Sequence, residues 1–484
     1  MPTREVARER VGGDVPRLSP SDAAGRIGAD ATLAVSGFGS VGYPKAVPLA
    51  LARGSRDLSL TVVSGGSVGD EIDTALVEAG AIERRYPYQA RSAAREAVND
   101  GTVAFHDRHI APLADEVAHG RLADVDAAVV EAVAVGEGWL VPSTSVGHTA
   151  AYVETADRLF VEVNRSQPLG LQHLHDIYRR RAPPDREPLA LSTPDGRFGS
   201  PRIRFDPASL EGVVVTDRPD SPYTFREPGE AERAISAHLT GFLEAELDRN
   251  PILAERVHLQ FGVGSVGNAT LEAVEAVDFG DRRVDYFGEV VQDGLLDLLD
   301  AGDVASASAT SLALSAEGQD RLFANLEEYA DDIVVRPASV SNSPELIERF
   351  GVVGVNSALS VDLYGHVNST HIGGTRVVNG IGGSADFTRH CPLAIMALPS
   401  TTGGGTSRVV PMVPHVDHTE HDVDVVVTEQ AVADLRGLAP RERAAELVEC
   451  AHPDVRGDLR AYLDRAGAGG GHLPHDLDTA FDWR

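Results

Sequence analysis

GFGSVG at Gly37–Gly42 and GVGSVG at Gly262–Gly267, 225 residues apart, each end a short apolar run and precede a helical stretch. The first closes Ala31–Ser36 (ATLAVS), with Val47–Arg53 reading as a helix and Leu58–Ser64 (LSLTVVS) as the next strand; the second closes Val257–Val263 (VHLQFGV). Strand, glycine turn, helix and strand make the βαβ pattern of a parallel sheet. Apolar runs at Asp126–Val135, Arg158–Val163, Val284–Phe287, Ile333–Arg336, Val352–Val355 and Val423–Thr428 continue it. Such unbroken Val-rich runs suit strands covered on both faces. Helical spacing is predicted over Gly229–Leu247, Leu295–Asp300 and Arg441–Cys450. A second echo pairs Asp124–Ala134 (DVDAAVVEAVA) with Asp422–Ala433 (DVDVVVTEQAVA). Two echoes in the same order predict two tandem, similar open α/β domains with mainly parallel sheets. The Pro-, Arg- and Asp-rich stretch Ile177–Pro228 reads as loops holding the junction, which puts the domains at 1–220 and 221–484. Ligands of such sheets bind beyond the carboxyl ends of strands, so a site between the halves is expected.

The charge narrows the partners. There are 73 acidic residues against 43 basic ones, a net of −30 at neutral pH, which argues against nucleic acid and anionic membrane surfaces. Among the basic residues only Lys45 is a lysine. An acid-rich, nearly lysine-free chain suits multimolar salt, where screening shortens to about 3 Å and self-repulsion fades, so a halophilic source is expected. No window carries the roughly 18 apolar residues of a membrane span, and the N-terminus lacks the apolar core of a signal peptide. A cytoplasmic protein is expected. Cys391 and Cys450 have no metal or redox spacing and read as buried thiols.

The halves differ where chemistry would sit. Glu289, in VDYFGEVVQDG, follows Gly264 by 25 residues, whereas the same count from Gly39 reaches Ser64 in TVVSGGSVGD. A carboxylate at the end of an apolar strand, behind Gly288, is placed as a nucleophile that attacks an acyl carbon and forms a mixed anhydride. Such a carboxylate is expected to be ionised at neutral pH without help from a metal or a general base. Capping of a helical run at Val290–Leu299 is the competing reading. The glycine loops fit a phosphate cradle at a helix N-terminus, a nicotinamide site or plain tight turns, and no Walker-type loop surrounds Lys45. His415, Asp417, His418, His421 and Asp422 suggest a metal by composition, but they lack an HExxH-like pattern and lead into an apolar strand. A hydrogen-bonded turn beside the active site is favoured there, with no metal.

Several longer segments carry a resemblance. YFGEVVQDG (Tyr286–Gly294), SNSPELIERFG (Ser341–Gly351), NGIGGSADFTRH (Asn379–His390) and the stretch Val410–Ala444 are similar to the acetyl-CoA hydrolase/transferase family. So are SGGSVGDEID (Ser64–Asp73), RRYPYQ (Arg84–Gln89) and VPSTSVG (Val141–Gly147). The resemblance implies class I coenzyme A transferase domains, an enzyme acting on acyl-CoA and small carboxylates, and a homodimer. It implies that Glu289 is the nucleophile, working by ping-pong chemistry through a glutamyl-CoA thioester. Gly264, Ser265, Val266, Gly267, Asn268, Asn379 and Gly383 are then implied to hold coenzyme A. The resemblance also implies that backbone N–H groups of Val266 and Gly383 form an oxyanion hole and that Asn342 is an active-site asparagine. A lysine common in relatives is missing from TTGGGTSR (Thr401–Arg408), so its phosphate contact is lost or passes to Arg408. Acyl-CoA hydrolysis is the alternative within enzymes, and non-catalytic acyl-CoA binding is the remote one.

Overall fold

The computed structural model describes residues 6–122 and 124–482. Among them, seven strands form the parallel part of a first sheet: β1 (Thr32–Val35), β2 (Leu60–Val63), β3 (Ile82–Tyr86), β4 (Ala104–Phe105), β5 (Ala127–Gly136), β6 (Arg158–Asn164) and β7 (Leu210–Thr216). Their spatial order is β4-β3-β2-β1-β5-β6-β7, and every neighbouring pair is parallel. The second sheet uses β8 (Arg256–Phe261), β9 (Arg283–Phe287), β10 (Ser306–Ala309), β11 (Ile333–Val335), β12 (Val353–Ser357), β13 (Leu393–Ala397) and β14 (Val425–Val427). It runs β11-β10-β9-β8-β12-β13-β14, with β15 (Val432–Asp434) pairing antiparallel at the end. Both sheets therefore place their strands in the order fourth, third, second, first, fifth, sixth, seventh. The strand order reverses at β1 and at β8, which are the strands that end in the two glycine loops. That reversal is the switch point at which open α/β sheets present ligand sites.

The glycine-loop echo thus pairs equivalent places, whereas the second echo does not. Asp124–Ala134 supplies the fifth strand, β5, but Asp422–Ala433 supplies the seventh, β14, and its hairpin partner β15. The likeness of those segments reflects what any strand covered on both faces requires. The stretch Ile177–Pro228 is largely irregular, as its composition predicts, yet it also contains β7 (LEGVVVT), which was not anticipated. There the β-branched run outweighs the loop-like flanks.

By its contacts the chain gathers into two compact units. The first holds the chain up to Thr224 together with Tyr286–Leu299 and Ser306–Leu346; the second holds Phe225–Asp285, Asp300–Ala305 and the chain from Ile347 onward. In the first, Leu33, Val35, Leu60, Val62, Val129 and Phe160 of the sheet pack with Val47, Ile72 and Leu76 of flanking helices. In the second, Met396 and Val426 pack with Leu447, Leu459 and Tyr462. Each such side chain contributes about 1.5–3 kcal/mol by leaving water. All ten residues of β5 are buried, including the charged Glu131, which must therefore find a partner. Both cysteines are free and buried, and burial pushes the Cys450 thiol up to about 12. No helix among the described residues is long and apolar enough to cross a membrane.

Candidate active site

Glu289 sits in a turn that the first unit defines through its backbone. β9 ends at Phe287, and the Gly288 N–H donates to Ser308 O at 3.0 Å. A Cβ on Gly288 would lie 2.4 Å from the Tyr286 hydroxyl, so only glycine fits. The Glu289 carbonyl accepts from the Thr310 N–H at 2.9 Å and the Ser311 N–H at 3.1 Å. Val290–Val291 then pairs in parallel with Ser311–Leu312. The helix begins only at Asp293 (Asp293–Ala301), so the expected helical run from Val290 is corrected. The acid in its first turn is Asp293, which rules out the capping reading of Glu289.

The Glu289 carboxylate accepts a hydrogen bond from Asn342 Nδ2 at 2.9 Å. Asn342 follows the short helix Ala338–Ser341, whose Ala338 N–H donates to Gly147 O. The structure thus brings together two of the residues singled out from sequence. Burial pushes the Glu289 carboxyl up to about 7, outweighing the lowering effect of Asn342. The residue as a whole keeps partial exposure, while its carboxyl is crowded by protein atoms. The expectation of a fully ionised group is corrected: burial holds the carboxyl well above the ordinary carboxylate range, because desolvation opposes the charge.

A strap from the first half supports this turn. Val146 N–H donates to Thr310 O, Gly147 N–H to Thr310 Oγ1, and Leu312 N–H to Thr144 O, at 2.9–3.0 Å. Thr310 Oγ1 in turn donates to Arg336 O, and the buried Arg336 guanidinium pairs with Asp176 at 2.5 Å. Sequence reasoning assigned no role to Thr310, Arg336 or Asp176. Nothing in their spacing marks them, because the Thr310–Gly147 and Arg336–Asp176 contacts join residues more than a hundred positions apart.

The remaining expected residues belong to the second unit. Gly264 has φ +119° and precedes the helix Ser265–Ala276. The first N–H groups of a helix have no intrahelical acceptor, so Ser265, Val266 and Gly267 present donors here. Gly264 and Ser265 are exposed, Val266 and Gly267 are buried, and Asn268 Nδ2 donates to Arg226 O at 3.1 Å. Gly383 precedes the helix Ser384–His390. The buried Oδ1 of Asn379 has no hydrogen-bond partner among the described residues. Arg408 is half-buried, with Nη1 3.4 Å from Ala358 O.

The histidine segment is knitted into its surroundings. His418 Nε2 lies 2.9 Å from Ser384 Oγ, His415 Nε2 lies 3.1 Å from Asp417, and the His371 and His415 rings lie 3.8 Å apart. Among the described residues, no group of three or more His, Cys, Asp or Glu side chains is arranged to hold a metal ion.

Residues 14–185 match the model of the acetyl-CoA hydrolase/transferase N-terminal domain, and residues 318–463 match that of the C-terminal domain. The chain belongs to the acetyl-CoA hydrolase/transferase family. It is therefore an enzyme of a family whose substrate is coenzyme A in its acylated forms. It is 41% identical over 459 residues to the succinyl-CoA:acetate CoA-transferase of Clostridium kluyveri, covering 93% of this chain and 85% of that one. It is 39% identical over 470 residues to the acetyl-CoA hydrolase of Eremothecium gossypii, covering 92% and 89%. In fold it is similar to RipA from Yersinia pestis, with a TM-score of 0.70 at 22% identity over 93% of this chain and 97% of that one. Family members thus include both transferases and hydrolases, on one mixed α/β architecture with mostly parallel sheets.

Proposed function

We propose that this protein is a coenzyme A transferase that moves CoA from a short-chain acyl-CoA, with acetyl-CoA the favoured donor, to a small carboxylate. The observation that carries the reading is the Glu289 carboxyl, held by Asn342 at 2.9 Å and raised to about 7 by burial. A carboxylate withdrawn from water suits attack on a thioester. One Glu289 oxygen adds to the acyl carbon, the C–S bond breaks, CoA leaves as thiolate, and a mixed anhydride remains. The thiolate then adds to the Glu289 carboxyl carbon, the C–O bond to the donor acid breaks, and the donor departs as carboxylate. The glutamyl-CoA thioester that results is resolved by an acceptor carboxylate running the same steps in reverse.

Each tetrahedral oxyanion is stabilised by the Val266 and Gly383 N–H groups, at about 3–4 kcal/mol per donor. Gly264, Ser265, Val266, Gly267, Asn268, Asn379 and Gly383 hold coenzyme A, and the phosphate contact of the missing lysine is lost or passes to Arg408. The tandem division at 1–220 and 221–484, a homodimer, a cytoplasmic location and a halophilic source belong to the same reading. The last is supported by the net charge of −30 and the single lysine.

The test is mass spectrometry of protein incubated with acetyl-CoA in high salt, trapped with borohydride or hydroxylamine and mapped by peptide. A modification confined to the peptide bearing Glu289 is expected. Consumption of acyl-CoA without any such adduct overturns the thioester route. A second reading, hydrolysis by water, is favoured by the 39% identity to an acetyl-CoA hydrolase. A rate that depends on added carboxylate separates transfer from hydrolysis.

A further inference from the structure

The only lysine of the chain lies at the centre of a polar cluster in the first unit, and that cluster reaches the Glu289 turn. We propose that Lys45 is a positioning residue for Glu289, acting through Asp220 and Thr144. The proposal rests on the reading of Glu289 as nucleophile.

Lys45 is 1% exposed, and its ammonium spends its three donors on three acceptors: Glu131 Oε2 at 2.6 Å, Asp220 Oδ1 at 2.8 Å and Tyr43 O at 2.8 Å. It also lies 4.2 Å from the centre of the Tyr43 ring. Both carboxylates are themselves buried and fully engaged. Asp220 accepts from the Gly42 N–H, from Thr144 Oγ1 at 2.5 Å and from Gln167 Nε2 at 3.0 Å. Glu131 accepts from Ser143 Oγ at 2.6 Å and Asn164 Nδ2 at 3.0 Å. Ser143 and Thr144 begin the strap whose Thr144 O accepts from Leu312 N–H and whose Val146 N–H donates to Thr310 O. Thr310 and Ser311 are the residues whose N–H groups fix the Glu289 carbonyl. Hydrogen bonds joined by short stretches of backbone therefore run from the ammonium through Asp220 and Thr144, and on through Leu312 and Ser311, to the backbone of the nucleophile.

A buried charged cluster adds little net stability over apolar packing of the same shape, and in some proteins it serves to select one geometry. Lysine meets that need here because a compact ammonium has three donors and three acceptors converge on it; the flat fork of arginine would not fit the same point. This accounts for a lysine rather than an arginine at this position. A nucleophile displaced by about 1 Å loses on the order of 100-fold in rate, whereas binding of acyl-CoA on the residues of the second unit is unaffected by such a shift.

The experiment compares Thr144→Val and Thr144→Ser in the full-length protein. Thr144→Val keeps the shape, removes the single hydroxyl that ties the strap to Asp220, and leaves the ion cluster whole. The rate of Glu289 acylation in single-turnover mixing with acetyl-CoA is expected to fall by about tenfold or more, with KM for acetyl-CoA changing less than about twofold. Thr144→Ser, which restores the hydroxyl, is expected to recover most of the rate. A Thr144→Val protein that is less stable but turns over normally when folded overturns the proposal, as does a Thr144→Ser protein that is equally slow. If the unmodified protein forms no adduct on Glu289, the reading beneath the proposal fails first, and that outcome is visible before any variant is made. Lys45→Met is a second test. It leaves Glu131 and Asp220 uncompensated, so its loss of rate is read per folded molecule, and a normal rate per folded molecule overturns the proposal.

Discussion

The two halves repeat one topology, yet their glycine loops have opposite surroundings. In GFGSVG the space beside the backbone is filled by the protein itself: a Cβ on Gly37 would lie 2.7 Å from Tyr43 Cβ, and one on Gly42 would lie 2.3 Å from Ser145 Oγ. In GVGSVG a Cβ on Gly262 or Gly264 would meet nothing within 4 Å. The same contrast holds at the ends of the second strands. After β2, Ser64 is fully buried and its hydroxyl donates to Gly66 O within its own turn. After β9 stands Glu289, a partly exposed residue. One copy of the switch point is thus filled by internal packing, and the other is left open.

The contrast is broken most severely at the second-strand positions. Replacing Glu289 with Ala is expected to cut turnover at least about 10⁴-fold, since a lost nucleophile leaves only binding and oxyanion stabilisation. Circular dichroism should match the parent protein; a rate within tenfold of normal removes Glu289 from the mechanism. Next comes Gly42→Ala, which forces a side chain into Ser145 at a residue with φ +66°. A loss of about 2–4 kcal/mol is expected from overpacking and backbone strain, and a denaturant midpoint equal to that of the parent protein would show that the first loop is not self-filled.

Asn342→Ala should act through charge. Without its hydrogen bond the carboxyl is harder to ionise, so the midpoint of the rising pH–rate profile moves from about 7 upward and the rate at pH 7 drops about 10–100-fold. An unmoved midpoint breaks the link between these two residues. A smaller effect concerns stability. The folded-state pKa of Glu289 is raised, so the folded form binds the extra proton and stability falls as pH climbs from the usual carboxyl value through about 7. Glu289→Gln removes that cost and should gain roughly 1–2 kcal/mol above pH 7, with no gain below pH 4. Urea melts at both pH values provide the check. Smallest of all, Gly262→Ala should leave the melting temperature unchanged, because the added methyl meets no described atom within 4 Å. If instead it destabilises the fold, the second loop is packed like the first.

Much of this was legible in the sequence because sheet and loop obey local rules. Glycine loops after apolar runs marked both switch points, and the unbroken Val-rich runs marked strands buried on both faces. Counting from each loop to the end of the next strand singled out Glu289 against Ser64, and β2 and β9 are indeed equivalent strands. The second echo misled because β5 and β14 share a composition without sharing a place. The raised pKa of Glu289 and the support from Thr144, Thr310 and Arg336 were not legible. They depend on burial and on hydrogen bonds between distant residues, which leave no periodicity to read. The lone lysine was visible as an oddity of composition, but its meaning required the position of its carboxylate partners.

Because its one lysine is enclosed, the folded protein offers amine-directed reagents no side chain. Its own α-amino group aside, acylating probes, aldehydes and crosslinkers that target primary amines should pass over the native molecule. Lys45 should react only when the core around β5 opens. The extent of labelling at a single peptide then becomes a clock for that opening, read without any engineered reporter, and it can be followed at any salt concentration in which the protein is handled.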